Sequence, residues 1–285
     1  MTNINAIIRV IIAAFATLCL VWSCKSKTEA PVEFMEEVPA DTTKAPELVE
    51  DSLPEELAVP EPPKKADELF DDFIFAFMKN KHYQRQRVAF PLSYTYDGEN
   101  KQLEQSEWKY DSMYSRYEMY TLIFDSEKAD NMAKDTSVDR VVVEELDLDT
   151  QRAKSYDFKR ENAEWRLTSL EDGPMENSAN SEFYRFYHQF ATDPAFQQSH
   201  IASPLAFSTF DDDEFKTVET TLTPEEFAEH SPELPKSKIT NILYGQTFQN
   251  SNLRILSLRA HASGFECKMV FKKNGGEWKL TRLEN

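Results

Sequence analysis

The chain repeats itself, and that repeat constrains the fold more than any single motif. Shifting the C-terminal part back by 113 positions lays Phe183, Phe186 and Phe190 on Phe70, Phe73 and Phe77. The same shift lays Gln197 on Gln84 and Pro204-Leu205 on Pro91-Leu92. Near the ends, Phe271-Lys272, Glu277-Trp278, Leu280-Thr281 and Leu283-Glu284 fall on Phe158-Lys159, Glu164-Trp165, Leu167-Thr168 and Leu170-Glu171. These fourteen identities, in order and at both ends, imply two homologous units, 67–175 and 180–285. The middle drifts. Ile242-Leu243-Tyr244 best matches Leu122-Ile123-Phe124 at an offset of 120, and seven extra residues around 131–137 restore the register.

Each unit orders its elements alike. Phe70, Phe73, Ile74 and Phe77 recur at helical spacing, as do Phe183, Phe186, Tyr187 and Phe190. Asp67 and Ser181 are the expected N-caps. A shorter helix follows, carrying Tyr83 and Val88 or Phe196 and Ile201, and Pro91 and Pro204 are expected to stop it. Thr223-Pro224-Glu225-Glu226 reads as a capping box. Strands are expected over 140–148, 253–260 and 265–273, with Asn274-Gly275-Gly276 turning the last of these into 277–283 as a hairpin. Helices followed by a run of antiparallel strands give an α+β fold class. The expected architecture is two tandem cone-shaped domains, each with N-terminal helices packed on a curved antiparallel sheet.

The Phe-x2-Phe-x3-Phe helix, the Pro-Leu after the second helix and the Phe-Lys…Glu-Trp-x-Leu-Thr hairpin resemble the cone-shaped fold of nuclear transport factor 2 and its relatives. Residues 67–285 resemble more closely a family of Bacteroidetes lipoproteins of unknown function with that fold. The resemblance implies that the two repeats pair within the chain as a pseudo-dimer. Enzymes of the fold, among them ketosteroid isomerase, limonene epoxide hydrolase and scytalone dehydratase, work with polar groups inside the cone. Their catalytic patterns do not align onto this sequence residue by residue.

Residues 10–22 are almost wholly apolar. Thirteen helical residues span ~20 Å, short of the ~30 Å hydrocarbon core. The stretch reads as the apolar part of a signal peptide over residues 1–23. It ends in Leu20-Val21-Trp22-Ser23-Cys24, which resembles the bacterial lipobox. That resemblance implies cleavage after Ser23 and lipid on the Cys24 sulfur, and so a membrane anchor. Lys25 follows where an inner-membrane retention signal would place Asp, so the expected location is the outer membrane, facing the periplasm or the cell surface. Residues 25–66 hold seven prolines, eleven acidic residues and no glycine. With so little to bury, 24–66 reads as a disordered acidic tether.

A net charge of −18 argues against nucleic acid, which is bound by Lys and Arg on phosphates. Cys19 lies in the signal peptide and Cys24 is the lipid site, so Cys267 has no partner and no disulfide framework exists. Cys267 shares an alternating face with Phe265, Met269 and Phe271, as a buried thiol would; a reactive thiol is the other reading. His82, His188, His200, His230 and His261 lack metal-ligand spacing, and Asp147-Leu148-Asp149 and Asp211-Asp212-Asp213 do not form an EF-hand. Neither a Gly-rich phosphate loop nor Gly-x-Ser-x-Gly occurs. No metal and no cofactor are expected.

Candidates for a pocket inside a cone are Arg87, Tyr94 and His200, with Tyr96 and Asp211 behind them; Arg87 and His200 are counterparts in the two repeats. Trp108, Tyr110, Tyr114 and Tyr117 form an aromatic run lacking in the second repeat. It reads either as a binding surface for a sugar or protein, or as a buried stripe. The expected function is non-enzymatic: an envelope lipoprotein binding a small ligand or a protein partner. The alternative is an isomerase- or dehydratase-like enzyme using one cone.

Overall fold

The computed structural model describes residues 67–211 and 213–285; the signal peptide, Cys24 and the tether lie outside the described residues. The phenylalanine spacing forms helix α1 (Phe70–Lys79) in the first repeat and α3 (Ser181–Thr192) in the second. Each is followed by a short helix, α2 (Lys81–Gln86) or α4 (Pro194–Ser199), capped by Asn80 or Asp193. The expected caps act elsewhere. Asp67 pairs with Arg87, and Ser181 is already the first residue of its helix.

Among the described residues, six strands follow each helix pair. The first repeat carries β1 (Val88–Tyr96), β2 (Glu99–Leu103), β3 (Met119–Phe124), β4 (Arg140–Asp147), β5 (Arg152–Glu161) and β6 (Glu164–Pro174). The second carries β7 (Ile201–Asp211), β8 (Lys216–Leu222), the one-turn helix α5 (Phe227–His230), β9 (Lys238–Leu243), β10 (Leu253–Ala260), β11 (Glu266–Asn274) and β12 (Glu277–Glu284). The strand and hairpin expectations hold to within a residue or two. Pro91 and Pro204 do not stop a helix. They lie inside β1 and β7, after cis peptide bonds, where pairing with β6 or β12 skips register. Proline in a strand belongs at such irregular points, where no ladder donor is lost. Nor are the sheets purely antiparallel, since β1–β6 and β7–β12 run parallel.

The fourteen identities explain themselves in the core. Phe70 meets Phe158 at 5.3 Å and Trp165 at 5.1 Å; Phe183 meets Phe271 at 5.4 Å and Trp278 at 5.3 Å. Both hairpins bulge just before that phenylalanine, and the Thr168 or Thr281 hydroxyl donates to the bulge carbonyl of Asp157 or Val270 at 3.0 Å. The Gly275-Gly276 turn is matched by Asn162-Ala163, which adopt positive φ angles without glycine.

The sheets do not respect the repeat boundary. The first is ordered β2-β1-β6-β5-β4-β9 and the second β3-β10-β11-β12-β7-β8, so each takes its sixth strand from the other repeat. The exchanged strands meet at Thr121 and Thr240, both buried, where each backbone N–H donates to the other's hydroxyl at 2.9 Å. This reciprocity sets the true offset at 119, and six residues rather than seven restore the register before β4. Beside it, buried Glu144 accepts from Tyr184 at 2.6 Å and Ser178 at 2.8 Å, and Asn241 donates to the Tyr184 hydroxyl at 3.0 Å. Burial raises the Glu144 carboxyl above the usual range.

Candidate functional site: the polar mouth of the first cone

Alternation along β4 and β5 sends Val141, Val143, Tyr156 and Phe158 toward α1, and all four are buried there. Further along the same face the pattern turns polar. Glu145 stands opposite Lys154 in the ladder, and Asp147 opposite Arg152. Asp172 of β6 lies beside Lys154, and Lys238 of β9 beside Asp147. Together with Arg116 and Tyr117 these strands bound a cavity of about 230 Å³.

Asp111 completes the site from the chain between β2 and β3. It is held by Gln84, wholly buried, whose amide donates to the Phe77 carbonyl at 3.1 Å and the Asp111 carbonyl at 2.7 Å. Gln84 also accepts from the Asp111 N–H at 2.9 Å. Its counterpart Gln197 makes only the equivalent of the first bond, to Phe190. The Asp111 carboxylate accepts from Lys154 at 2.6 Å, from the Tyr156 hydroxyl at 2.7 Å and from the Met113 N–H at 2.9 Å. Tyr156 lies 3.1 Å from Glu145, and Arg116 bridges Glu145 at 3.1 Å and Asp111 at 3.5 Å.

One buried hydroxyl thus sits between two carboxylates whose affinities for a proton are driven apart. Burial pushes Asp111 up, but Lys154, Tyr156 and the Met113 N–H together bring it below the usual carboxylate range. Burial also pushes Glu145 up, and there it prevails over Arg116. Tyr156 is raised well above the ordinary phenol range by burial and by both acids. The site can therefore offer cations, a carboxylate held low and a carboxyl pushed up by burial within one small volume.

The residues expected from sequence are placed differently. Arg87 closes an ion pair with Asp67 at 2.8 Å, donates to the Trp165 carbonyl and lies over the Tyr83 ring. His200 stacks on Phe196 at 3.7 Å. As counterparts they share a backbone duty, accepting from Leu167 and Leu280 at 2.9 and 2.8 Å to tie helix to hairpin. Tyr94 packs beside Tyr96 at the edge of the core. None of the three lines this cavity. Asp211 accepts from the N–H groups of Asp213 and Glu214 in a turn. The aromatic run is not one surface either. Trp108 packs partly buried against the core, Tyr110 donates to the Met78 carbonyl, Tyr114 is 3% exposed, and Tyr117, under Arg116, is the only one of the four at this cavity. Cys267 is buried, and burial pushes its thiol up to about 12. Phe265, expected on its buried face, is 38% exposed just outside β11.

No spacing or motif in the sequence singles out Asp111, Arg116, Glu145, Lys154 or Tyr156. The signal lay in the differences. Glu145, Lys154 and Tyr156 stand where the second repeat has Leu258, Cys267 and Met269.

The model of a domain of unknown function, DUF4348, matches residues 49–285. The chain belongs to that family. An NTF2-like protein from Bacteroides fragilis, known from a crystal structure, is 36% identical. It covers 79% of this chain and 98% of its own, with a TM-score of 0.72. Among curated proteins none matches. The fold of this family member is therefore NTF2-like, mixed α+β and built on two sheets.

Proposed function

We propose that this DUF4348 chain is a lipid-anchored envelope protein whose first cone binds a small polar ligand carrying both donor and acceptor groups. One observation carries the reading: charged and hydroxyl groups converge on a 230 Å³ cavity in one cone, and the counterparts of Glu145, Lys154 and Tyr156 in the other are the buried Leu258, Cys267 and Met269. Arg116 and Lys154 would receive an acidic group, with the Glu145 carboxyl, raised by burial, beside it. A cavity of this size takes a molecule of a sugar's or an amino acid's bulk rather than a protein segment. The anchor rests on Leu20–Cys24 and the tether on residues 25–66, which would hold the cone clear of the outer membrane. Pairing of the two repeats as a pseudo-dimer is part of this reading, supported by the strand exchange at Thr121 and Thr240.

A screen of small polar metabolites by thermal shift tests the binding. Compounds that stabilise the wild type are expected to lose their effect in Lys154→Met and keep it in Cys267→Ala; equal effects in both variants would place binding elsewhere. Palmitate labelling is expected to vanish in Cys24→Ala. A second reading, an acid–base enzyme, is favoured by the Asp111–Tyr156–Glu145 arrangement, because a pair of carboxylates with separated affinities is what proton transfer needs. Turnover of a ligand by the wild type but not by Glu145→Gln would select it.

A further inference from the structure

The repeats also differ where the first helix of each meets its sheet. In the first repeat Asp67 precedes α1, and its carboxylate accepts from the Trp165 backbone N–H at 3.2 Å and pairs with Arg87. The 113-residue offset puts Asn180 at the position of Asp67 and Arg254 of β10 at the position of Val141. The second repeat thus has an amide where the first has a carboxylate, and a cation where the first has valine. Arg254 is 5% exposed and Asn180 1%. Arg254 donates from Nε to the Asn180 side-chain oxygen at 2.6 Å, and from its terminal nitrogens to the carbonyls of Ser251, Leu253 and Phe248. All four acceptors are neutral, and a guanidinium has a fifth N–H.

Buried charges are ordinarily paired. Among the described residues no carboxylate stands in ion-pair range of Arg254. Burial lowers its pKa below the usual guanidinium value, and Asp125, Tyr184 and Glu182 do not make up the difference. Against this side chain lies a cavity of about 210 Å³. The start of α3 forms one side of it, and no side chain caps that helix, because Asn180 gives its oxygen to Arg254. An uncapped helix start favours negative charge. Trp278, under the guanidinium at 5.1 Å, forms another side, and its buried indole N–H has no acceptor. The Trp165 indole lacks an acceptor as well, so Arg254 is what sets this place apart. Lys273 and Glu182 pair with each other at the cavity, and the Glu182 side chain is 60% exposed. The wall therefore holds two cations and one carboxylate.

We propose that this cavity binds a small oxyanion, a carboxylate or phosphate group, as the counter-ion of Arg254. None of its wall residues lines the charged mouth of the first cone. The test is NMR titration of the full chain at constant ionic strength, read at the Trp278 indole N–H. The probes are inorganic phosphate, acetate and acetamide. Phosphate or acetate is expected to shift the Trp278 signal saturably, and acetamide, neutral and of similar shape to acetate, to bind at least about tenfold more weakly, the scale of one charged hydrogen bond. Tighter binding of phosphate would point to phosphorylated ligands, and tighter binding of acetate to carboxylic acids. Arg254 also holds the turn at 248–253, so the deciding variant is Glu182→Gln, which removes the competing charge at an exposed position. It is expected to tighten binding about two- to fivefold. Lys154→Met is expected to leave the affinity unchanged, and loss of binding there would place the anion in the first cone and overturn the proposal. No saturable shift with either anion, acetamide binding as tightly as acetate, or affinity in Glu182→Gln no higher than in the wild type would overturn it as well.

Discussion

The two cones share a scaffold and differ in what faces inward. In the first, Glu145, Lys154 and Tyr156 bring charge and a hydroxyl to the inner face, and Asp111 and Arg116 close the network around them. In the second, Leu258, Cys267 and Met269 occupy those positions, all fully buried, and Phe227 of α5 packs on Phe190 at 6.0 Å. Tyr187 there spends its hydroxyl on the Pro235 carbonyl at 3.0 Å. Buried polar groups need partners, and the first cone supplies them around Tyr156, while the counterpart positions of the second are packed with apolar side chains. Both copies have a packed core, and one keeps a charged cavity where the other packs apolar side chains. The second copy also lends β9 to the first, so the open cone depends on the filled one for its edge.

Moving a charge from one cone to the other should break this contrast most strongly. Leu258→Glu places a carboxylate where Arg116 and Lys154 have no counterpart, and an unpaired buried charge costs about 3–5 kcal/mol. Denaturant unfolding checks it. A loss under about 1 kcal/mol would mean that the second cone admits water or a cation.

The first cone should respond in the opposite sense and by less. Glu145 is raised in the folded state, so its contribution is fully present below the unfolded value of about 4.3 and is lost as pH rises through the folded value. Glu145→Gln removes this dependence. The variant is expected to match the wild type near pH 4 and to gain on the order of 1 kcal/mol by pH 7. Thermal unfolding at both pH values reads the sign, and a variant less stable at pH 7 than at pH 4, relative to wild type, contradicts it.

Much of the fold was legible because duplication marks what cannot change. Phe158, Trp165, Leu167 and Thr168 recur as Phe271, Trp278, Leu280 and Thr281 because they pack the helix onto a bulged hairpin. Strand exchange was not legible, since Thr121 and Thr240 pair across 119 residues and no local pattern records which sheet a strand joins. The Asn162-Ala163 turn hid for another reason: the hairpin imposes positive φ on residues that do not advertise it. The site was missed because counterpart positions such as Arg87 and His200 serve the scaffold, whereas Glu145, Lys154 and Tyr156 differ from their counterparts. The family and the NTF2-like relative support the fold.

Position 154 and its counterpart 267 test the central contrast directly, because one substitution puts a thiol at the same place in both cones. In a chain with Cys19 and Cys24 replaced by serine, Lys154→Cys is compared with the native Cys267 by iodoacetamide labelling and mass spectrometry. The thiol introduced at 154 is expected to react in the folded protein, and Cys267 only when the protein unfolds. Labelling of Cys267 in the folded chain at a rate similar to that at 154 would contradict a filled second cone beside an open first one.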